Sequence, residues 1–217
     1  MSMRFAPSRP LGAVFLAAGM LAALAASATA HPHVWITVET TVLYDKGTFT
    51  GLQHKWTFDE FYTAMAIEGL DKNKDGIYDR EELSELAKVN IEGLKEFGYF
   101  TYPVLAGQDV KVQDARDYWL EHKDGALSLH FTVPFAQPIP EKAKDFAYVV
   151  QDPAFYIAFV PAKTDPVKLA KGAPKSCKVH IGNPKGGSDD AERLAKAFAG
   201  LASPVSATSA VSIDCRD

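Results

Sequence analysis

The sequence lacks an excess of basic residues. Its 217 residues include 23 Lys and Arg against 27 Asp and Glu, a formal net charge of −4. Because such a chain cannot neutralise a phosphate backbone, we expect no nucleic-acid partner. The sequence also lacks a nucleophile elbow, a phosphate-binding glycine loop, a His-Glu-x-x-His helix and a Cys-x-x-Cys pair, and these absences favour a protein that is not an enzyme.

Long apolar runs are scarce too, and the one present lies near the start of the chain. Leu11–Ala26 is apolar or glycine throughout, but its 16 residues fall short of the about 20 that a membrane-spanning helix needs. Basic residues precede this run and small residues follow it, as in a secretory signal: Arg4, Arg9, Ala28 and Ala30. We expect cleavage of residues 1–30, which takes the net charge from −4 to −6 because both arginines are lost. The mature protein should be soluble, periplasmic and not inserted in the membrane.

The chain has only two cysteines, Cys177 and Cys215. In the oxidising periplasm an isolated pair is more typical of a disulfide than of a metal site. The bond would close a loop of 39 residues, which corresponds to about 4 kcal/mol in the chain-entropy model. The alternative is a pair of free, buried thiols.

The mature chain alternates apolar and polar side chains in several short segments, the pattern of half-buried strands. Proline-rich breaks between them favour antiparallel pairing over βαβ units. We predict strands at Val34–Val42, Thr48–Thr57, Tyr118–Leu120, Leu127–Phe135, Phe146–Val150, Phe155–Val160 and Lys178–Ile181. The expected fold is α+β: residues 31–217 form one domain, mainly an antiparallel, immunoglobulin-like β-sandwich, with a helical insertion at 57–97 and a C-terminal helix at about 189–201.

Two helices are predicted within the insertion. Thr57 and Glu60 have the spacing of a capping box, in which each residue binds a backbone N–H of the other. Apolar residues follow at helical spacing: Phe58, Phe61, Tyr62, Met65 and Leu70. The second helix carries its own apolar stripe: Leu83, Leu86, Ala87, Ile91 and Leu94.

Between these helices lies a twelve-residue acidic loop, Asp71–Glu82, that matches the EF-hand pattern. Gly76 allows its sharp turn, and six residues offer oxygen ligands: Asp71, Asn73, Asp75, Ile77 through its carbonyl, Asp79 and Glu82. A large, hard cation prefers six to eight oxygens, so we predict Ca²⁺ rather than Mg²⁺. Since EF-hands usually work in pairs and only one loop is found, we expect a weak site, of about 10⁻⁴ to 10⁻³ M, and a structural clamp rather than a sensor.

Cleavage after Ala30 would leave His31, Pro32 and His33 at the amino terminus. A free amine and two imidazoles suit Zn²⁺, Ni²⁺ or Cu²⁺. Pro32 has no N–H, which excludes the square-planar amino-terminal chelate. A brace through His31, completed by His33 or a distant residue, is one interpretation, and a plain polar terminus is the other.

The remaining histidines are weaker candidates. His54 shares a strand face with Leu52 and Trp56, so we predict a hydrogen-bonded core histidine. Three others could complete a metal shell, and their spacing does not single one out: His122, His130 and His180. Asp152-Pro153 is predicted to be a turn between strands.

Several segments together resemble the bacterial domain of unknown function family number one thousand and seven. The resemblance covers nearly the whole mature chain and rests on His31-Pro32-His33-Val34-Trp35, Trp56-Thr57-Phe58-Asp59-Glu60-Phe61-Tyr62, Asp71–Leu83, Asp152-Pro153-Ala154-Phe155-Tyr156 and Cys215. Such proteins are described as the periplasmic component of an uncharacterised ABC-type transport system and are often encoded beside nickel or cobalt exporters. The resemblance therefore implies metal transport with a membrane metal permease as partner. A mature chain of 187 residues with mostly β pattern does not suit a two-lobed solute-binding protein.

These patterns predict a periplasmic metal-binding protein that holds calcium in the loop and captures a transition metal through His31 and His33 for a transporter. Two alternatives stay open. One is a copper oxidase or monooxygenase with an amino-terminal histidine brace, and the other is a calcium-stabilised interaction module with no second metal.

Overall fold

The computed structural model of the protein describes residues 32–182 and 210–215. The predicted signal at 1–30, His31 and the predicted C-terminal helix at 189–201 lie outside these residues. Within the described residues lie two helices, α1 (Glu60–Ala66) and α2 (Ser84–Lys95), followed by a 3₁₀ turn at Gly98–Phe100. The strands are β1 (Val34–Asp45), β2 (Thr48–Phe58), β3 (Thr101–Leu105), β4 (Gln108–Asp109), β5 (Arg116–Lys123), β6 (Ala126–Pro140), β7 (Phe146–Val150), β8 (Ile157–Pro161), β9 (Val167–Leu169), β10 (Lys178–Ile181) and β11 (Ala210–Asp214).

The described strands form two sheets, so the prediction of a mainly β protein with two inserted helices is confirmed. The first sheet has the order β5-β6-β2-β1-β8, with β9 also paired to β1, and the second has the order β10-β11-β7-β3-β4. Pairing is mostly antiparallel, as predicted, but β8 and β9 run parallel to β1. These parallel pairs are exceptions within a mainly antiparallel fold, and they arise because the chain leaves β7 in the second sheet and enters β8 beside β1, at the edge of the first sheet. The immunoglobulin-like arrangement stays a prediction.

Both sheets contribute to one apolar core. Trp56 is central to it, with ring centroids 4.8 Å from Phe131 and 4.8 Å from Phe159. The period-two pattern stabilises the strands because it places alternate apolar side chains on one face, where they pack closely in the core. The buried inner-face residues include Ile36, Val38, Val42, Leu52, Leu129, Phe146, Tyr148, Val150, Val211 and Ile213.

Helix α1 does not begin with the predicted capping box. Thr57 still belongs to β2, and its hydroxyl lies 2.9 Å from that of Ser128 in β6. The cap is Asp59, whose carboxylate accepts the N–H of Tyr62 at 2.8 Å and the N–H of Trp35 at 2.8 Å. Pairing with Ile36 of β1 extends β2 to Phe58, and therefore the helix cannot start earlier.

The predicted apolar stripe of α1 is wrong at two positions. The side chains of Phe61 and Met65 are 77% and 57% exposed. The face of α1 that packs against the core carries Tyr62, as predicted, and Ala66, which was not predicted. Neither α1 nor α2, within the described residues, is long and apolar enough to cross a membrane.

His54 connects the two sheets. Its Nδ1 lies 3.0 Å from the hydroxyl of Thr40 in β1, and its Nε2 lies 3.2 Å from the hydroxyl of Thr101 in β3. The prediction of a hydrogen-bonded core histidine is confirmed. Complete burial disfavours the charged imidazolium and lowers the pKa of His54 from 6.5 to about 3.

His54 should make the fold sensitive to acid. Below pH 6.5 the unfolded chain protonates this residue and the folded chain does not, so its stabilising effect is complete above pH 6.5 and is lost as the pH falls toward about 3. We expect the free energy of unfolding to fall by about 1.4 kcal/mol per pH unit through this group. Urea unfolding of the wild type and of His54→Gln, which can bond but cannot titrate, should give a shallower pH slope for the variant. Parallel slopes would contradict the assignment.

The predicted disulfide is confirmed. Cys177 is bonded to Cys215. These residues flank the antiparallel pair β10 and β11, so the bond fastens the last described strand to the edge of the second sheet.

Loss of this bond should lower stability mainly by enlarging the unfolded ensemble. We expect the Cys177→Ser/Cys215→Ser variant to lose about 4 kcal/mol of unfolding free energy in urea titrations. Wild-type protein measured with a thiol reductant serves as the control and should give the same value. A loss under about 1 kcal/mol would mean that the crosslink contributes little to the fold.

Candidate functional site

The predicted calcium loop, Asp71–Glu82, joins α1 to α2. Both of its ends are anchored in the core: Leu70 packs against the core, and Leu83 is 1% exposed. The residues between them lie mostly at the surface. Core packing therefore holds the ends of the loop while leaving its middle accessible to an ion.

Side-chain oxygens in the first half of the loop turn toward its own backbone. The Asp71 carboxylate accepts the N–H of Asp75 at 3.2 Å and the N–H of Gly76 at 3.0 Å. The Asp75 carboxylate accepts the N–H of Ile77 at 2.7 Å. Gly76 has a φ of +79°, a conformation that glycine adopts without steric cost.

The second half of the loop is organised in the same way. The Asp79 carboxylate accepts the N–H groups of Glu81 and Glu82 at 2.8 and 2.9 Å. The side chain of Ile77 is 66% exposed, so its backbone carbonyl is the part of that residue available to an ion. The carboxylates of both halves of the loop thus accept backbone N–H groups of the loop itself.

Glu82 closes the loop. Although it carries a carboxylate, it is only 8% exposed. Its Oε1 accepts the N–H of Lys72 at 2.8 Å and of Asn73 at 3.3 Å, and its Oε2 accepts the N–H of Asp79 at 3.3 Å. Burying a carboxylate is unfavourable without such partners. These bonds bring the end of the loop against its beginning.

The donor set fits a hard cation and does not fit a soft one. All six candidate ligands are oxygen atoms from carboxylates, one amide and one carbonyl, which suits Ca²⁺ better than Zn²⁺ or Cu²⁺. The carboxylates are engaged with backbone N–H groups, and within residues 32–182 and 210–215 no three His, Cys, Asp or Glu side chains are close enough to hold an ion. A cation would therefore have to draw these oxygens together.

The outer side of the loop rests on β5, the edge strand of the first sheet. The ring of Tyr78 lies 4.9 Å from that of His122, edge to face. The guanidinium of Arg80 lies 4.1 Å above the ring of Trp119, a cation–π contact. Sequence reasoning missed this docking, because no local pattern pairs a loop with a strand some forty residues later.

The other predicted histidines do not converge on one site. Trp119 stacks on His130 at 3.8 Å, and His130 also lies 3.3 Å from a Glu121 carboxylate oxygen. Burial lowers the pKa of His130, while the bond to Glu121 acts in the opposite direction. His180 is exposed in β10. Each of these residues therefore sits in its own local setting.

His33 lies at the surface where β1 begins. Its backbone N–H donates to the carbonyl of Tyr156 at 2.8 Å, and its ring lies 4.8 Å from the Tyr156 ring. The imidazole is exposed, and its predicted companion His31 lies outside the described residues. Tyr156 thus fixes the backbone of His33, while the imidazole faces solvent.

Asp152 is a buried residue whose structural role the sequence only hinted at. It is 8% exposed and accepts N–H groups from Ala154 at 2.8 Å, Tyr156 at 3.0 Å and Ile157 at 3.0 Å. The predicted turn at Asp152-Pro153 is present, but the carboxylate organises the whole connection into β8. An Asp before a Pro was the one available signal.

The chain belongs to the family described as Protein of unknown function (DUF1007), whose model matches residues 16–210. The resemblance seen in the sequence is confirmed at this level. An uncharacterised protein of Haemophilus influenzae is 25% identical over 152 residues, which is 69% of this chain and 71% of that protein. An uncharacterised 15.5 kDa protein from the trpE 3′ region of Spirochaeta aurantia is 29% identical over 99 residues, 46% of this chain and 70% of that protein. None of these descriptions names an activity.

Proposed function

We propose that this protein is a periplasmic metal-handling protein. It holds one Ca²⁺ in the Asp71–Glu82 loop and presents a transition metal, through His31 and His33, to a membrane metal permease. The observation that carries the calcium assignment is the buried Glu82 carboxylate, which ties both ends of an all-oxygen loop together.

Charge repulsion within the loop gives calcium its stabilising effect. Five carboxylates occur within twelve residues, and four of them are candidate ligands: Asp71, Asp75, Asp79 and Glu82. Without a bound ion these four accept hydrogen bonds, mostly from backbone N–H groups of the loop and in one case from the side-chain amide of Asn73. A divalent ion would replace those bonds with direct coordination, at oxygen distances of about 2.3–2.6 Å.

The surroundings of the loop support a clamp rather than a sensor. Its ends are packed in the core, and Tyr78 and Arg80 already rest on β5. A loop held at both ends and at its outer side has little freedom to swing α1 away from α2. The ion therefore locks an existing arrangement, which is what a structural site does.

Calcium should raise the stability of the wild type and not that of Glu82→Gln. With a site of about 10⁻⁴ to 10⁻³ M, about 5 mM calcium adds about 1–2 kcal/mol to the unfolding free energy. Differential scanning calorimetry with calcium and with chelator measures this gain. Glu82→Gln keeps an oxygen that can accept N–H groups, but it loses the negative charge and the second oxygen that bidentate calcium binding needs.

The matched control is Glu81→Gln. This neighbouring carboxylate is exposed and is not among the six ligands, so the variant makes the same charge change and should keep the calcium gain. Fluorescence of Trp119, beside Arg80, gives a second readout of the same titration. Equal melting curves for the wild type with calcium and with chelator would rule out the clamp.

The transition-metal role rests on different residues. His33 offers an exposed imidazole on a backbone fixed by Tyr156. Removal of the signal would place the free amine and the imidazole of His31 two residues away. Nitrogen donors of this kind suit Zn²⁺, Ni²⁺ and Cu²⁺, which the all-oxygen calcium loop does not. Two chemically separate sites allow one ion to stabilise the fold while the other is exchanged with a permease.

Protein purified from the periplasm should bind one transition-metal ion that the His31→Ala/His33→Ala variant does not bind. Isothermal titration with zinc, nickel and copper, in excess calcium, measures the number of ions bound. His180→Ala is the control, because it removes an exposed imidazole from β10, far along the chain from the amino terminus. If the double variant binds as many ions as the wild type, the delivery role is wrong.

A further inference from the structure

A second cavity lies at the other end of α2, away from the calcium loop. It is a groove of about 520 Å³ between the last turns of α2 and the connection from β7 to β8. We call it the α2 groove and define it by Val89, Phe97, Phe100, Asp152, Tyr156 and Ile157. Its volume lies within the range of small-molecule sites, about 300–1,000 Å³.

Several apolar side chains on the walls of the groove are exposed to solvent and are not buried in the core. Val89, Phe97 and Tyr156 on its walls are 62%, 50% and 55% exposed, and the neighbouring Phe155 is 53% exposed. Single exposed apolar residues are ordinary, but several around one concave surface are typical of a binding site. Aromatic rings dominate this set.

The charged groups that line the groove are of one sign. Asp152 lies in its floor and Glu96 at its rim, and its described lining residues include no Lys, Arg or His. Lys95, beside Glu96 in sequence, is bound instead to Asp114 at 2.6 Å. The pKa of Tyr102 is raised by burial first and by the Asp152 charge second, so that charge acts across the adjoining part of the groove.

Two segments beside the groove contain bulky residues with a positive φ. Tyr99 and Phe100 have φ values of 56° and 47°, and Phe155, next to the lining residues Ala154 and Tyr156, has a φ of 57°. Bulky residues avoid this left-handed region, and such strain is found at functional sites. Of the three, Phe100 lines the groove itself.

The Asp152 carboxylate is fixed rather than mobile. Three backbone N–H groups hold it, two on Oδ2 and one on Oδ1. Those bonds fix the orientation of this buried carboxylate beside the apolar walls of the groove. A preorganised anion beside aromatic faces is the arrangement that recognises ammonium groups, through charge and cation–π attraction together.

We propose that the α2 groove binds a small organic amine, an ammonium group attached to an aromatic or apolar body. The ammonium lies toward Asp152 and Glu96, and the apolar body lies against Phe97, Phe100 and Tyr156. None of its lining residues belongs to the calcium loop or is an amino-terminal histidine, although Tyr156 also contacts His33.

A pair of ligands with the same shape and opposite charge tests the proposal on the unmodified protein. 2-Phenylethylammonium should bind at least about tenfold more tightly than 3-phenylpropionate, a difference of about 1.4 kcal/mol. Amide chemical-shift titrations report both affinity and location, and the shifts should fall in the second half of α2 and in residues 152–157. Equal affinities, or shifts elsewhere, would overturn the proposal.

Two variants of exposed phenylalanines supply the matched comparison. Phe97→Ala removes an aromatic wall and should weaken 2-phenylethylammonium binding at least about fivefold. Phe61→Ala removes a ring of equal size from α1, outside the groove, and should leave the affinity unchanged. Both side chains are exposed, so neither variant threatens folding. Equal loss in both, or in neither, contradicts the site.

The Asp152→Asn variant removes the carboxylate charge from the groove, and its melting temperature shows whether it still folds. A folded variant should lose the preference for the cation over the anion, and Glu96→Gln should lose part of it.

A lysine side chain of a partner protein shares the ammonium chemistry. If Nα-acetyl-lysinamide binds as tightly as 2-phenylethylammonium, the assignment to a small amine is wrong.

Discussion

One buried, neutral imidazole ties the two sheets of this protein together. His54 in the first sheet lies against Thr40 beside it and against Thr101 in the second sheet. Thr101 begins the strand that follows α2 and the 3₁₀ turn, so this contact also fixes where the helical insertion rejoins the sheets.

Elements with a clear local period could be predicted from the sequence. Long strands such as β1 and β6 alternate over many residues, and their apolar faces leave no other register. Short strands were missed: β3 contains Pro103, and β4 and β9 have two and three residues. Their pairing partners come from distant parts of the chain. The cap at Asp59 was missed for a related reason, because cross-strand pairing extends β2 beyond Thr57.

The candidate sites show the same difference. Residues that are placed by local spacing could be predicted, and contacts that depend on the tertiary fold could not. The candidate ligands of the predicted calcium loop follow from sequence spacing alone, because the pattern assigns them within twelve consecutive residues, and their binding of calcium stays a prediction. The contacts of Tyr78 and Arg80 with β5 depend on the tertiary fold and had no sequence signal. The groove beside Asp152 combines a helix, a strained turn and a loop from three regions, so only the Asp-Pro pair hinted at it. Exposure of Phe61 and Met65 was likewise decided by which face of α1 meets the core.

Helix α2 begins where the acidic loop ends and finishes at the aromatic groove, a span of about 18 Å. A rigid rod of this length transmits a tilt at one end to the other. If an ion at the loop alters the affinity of the groove by some factor, thermodynamic reciprocity requires that an occupant of the groove alter the ion's affinity by the same factor. Helix α2 contacts both places, so any such coupling would pass through it.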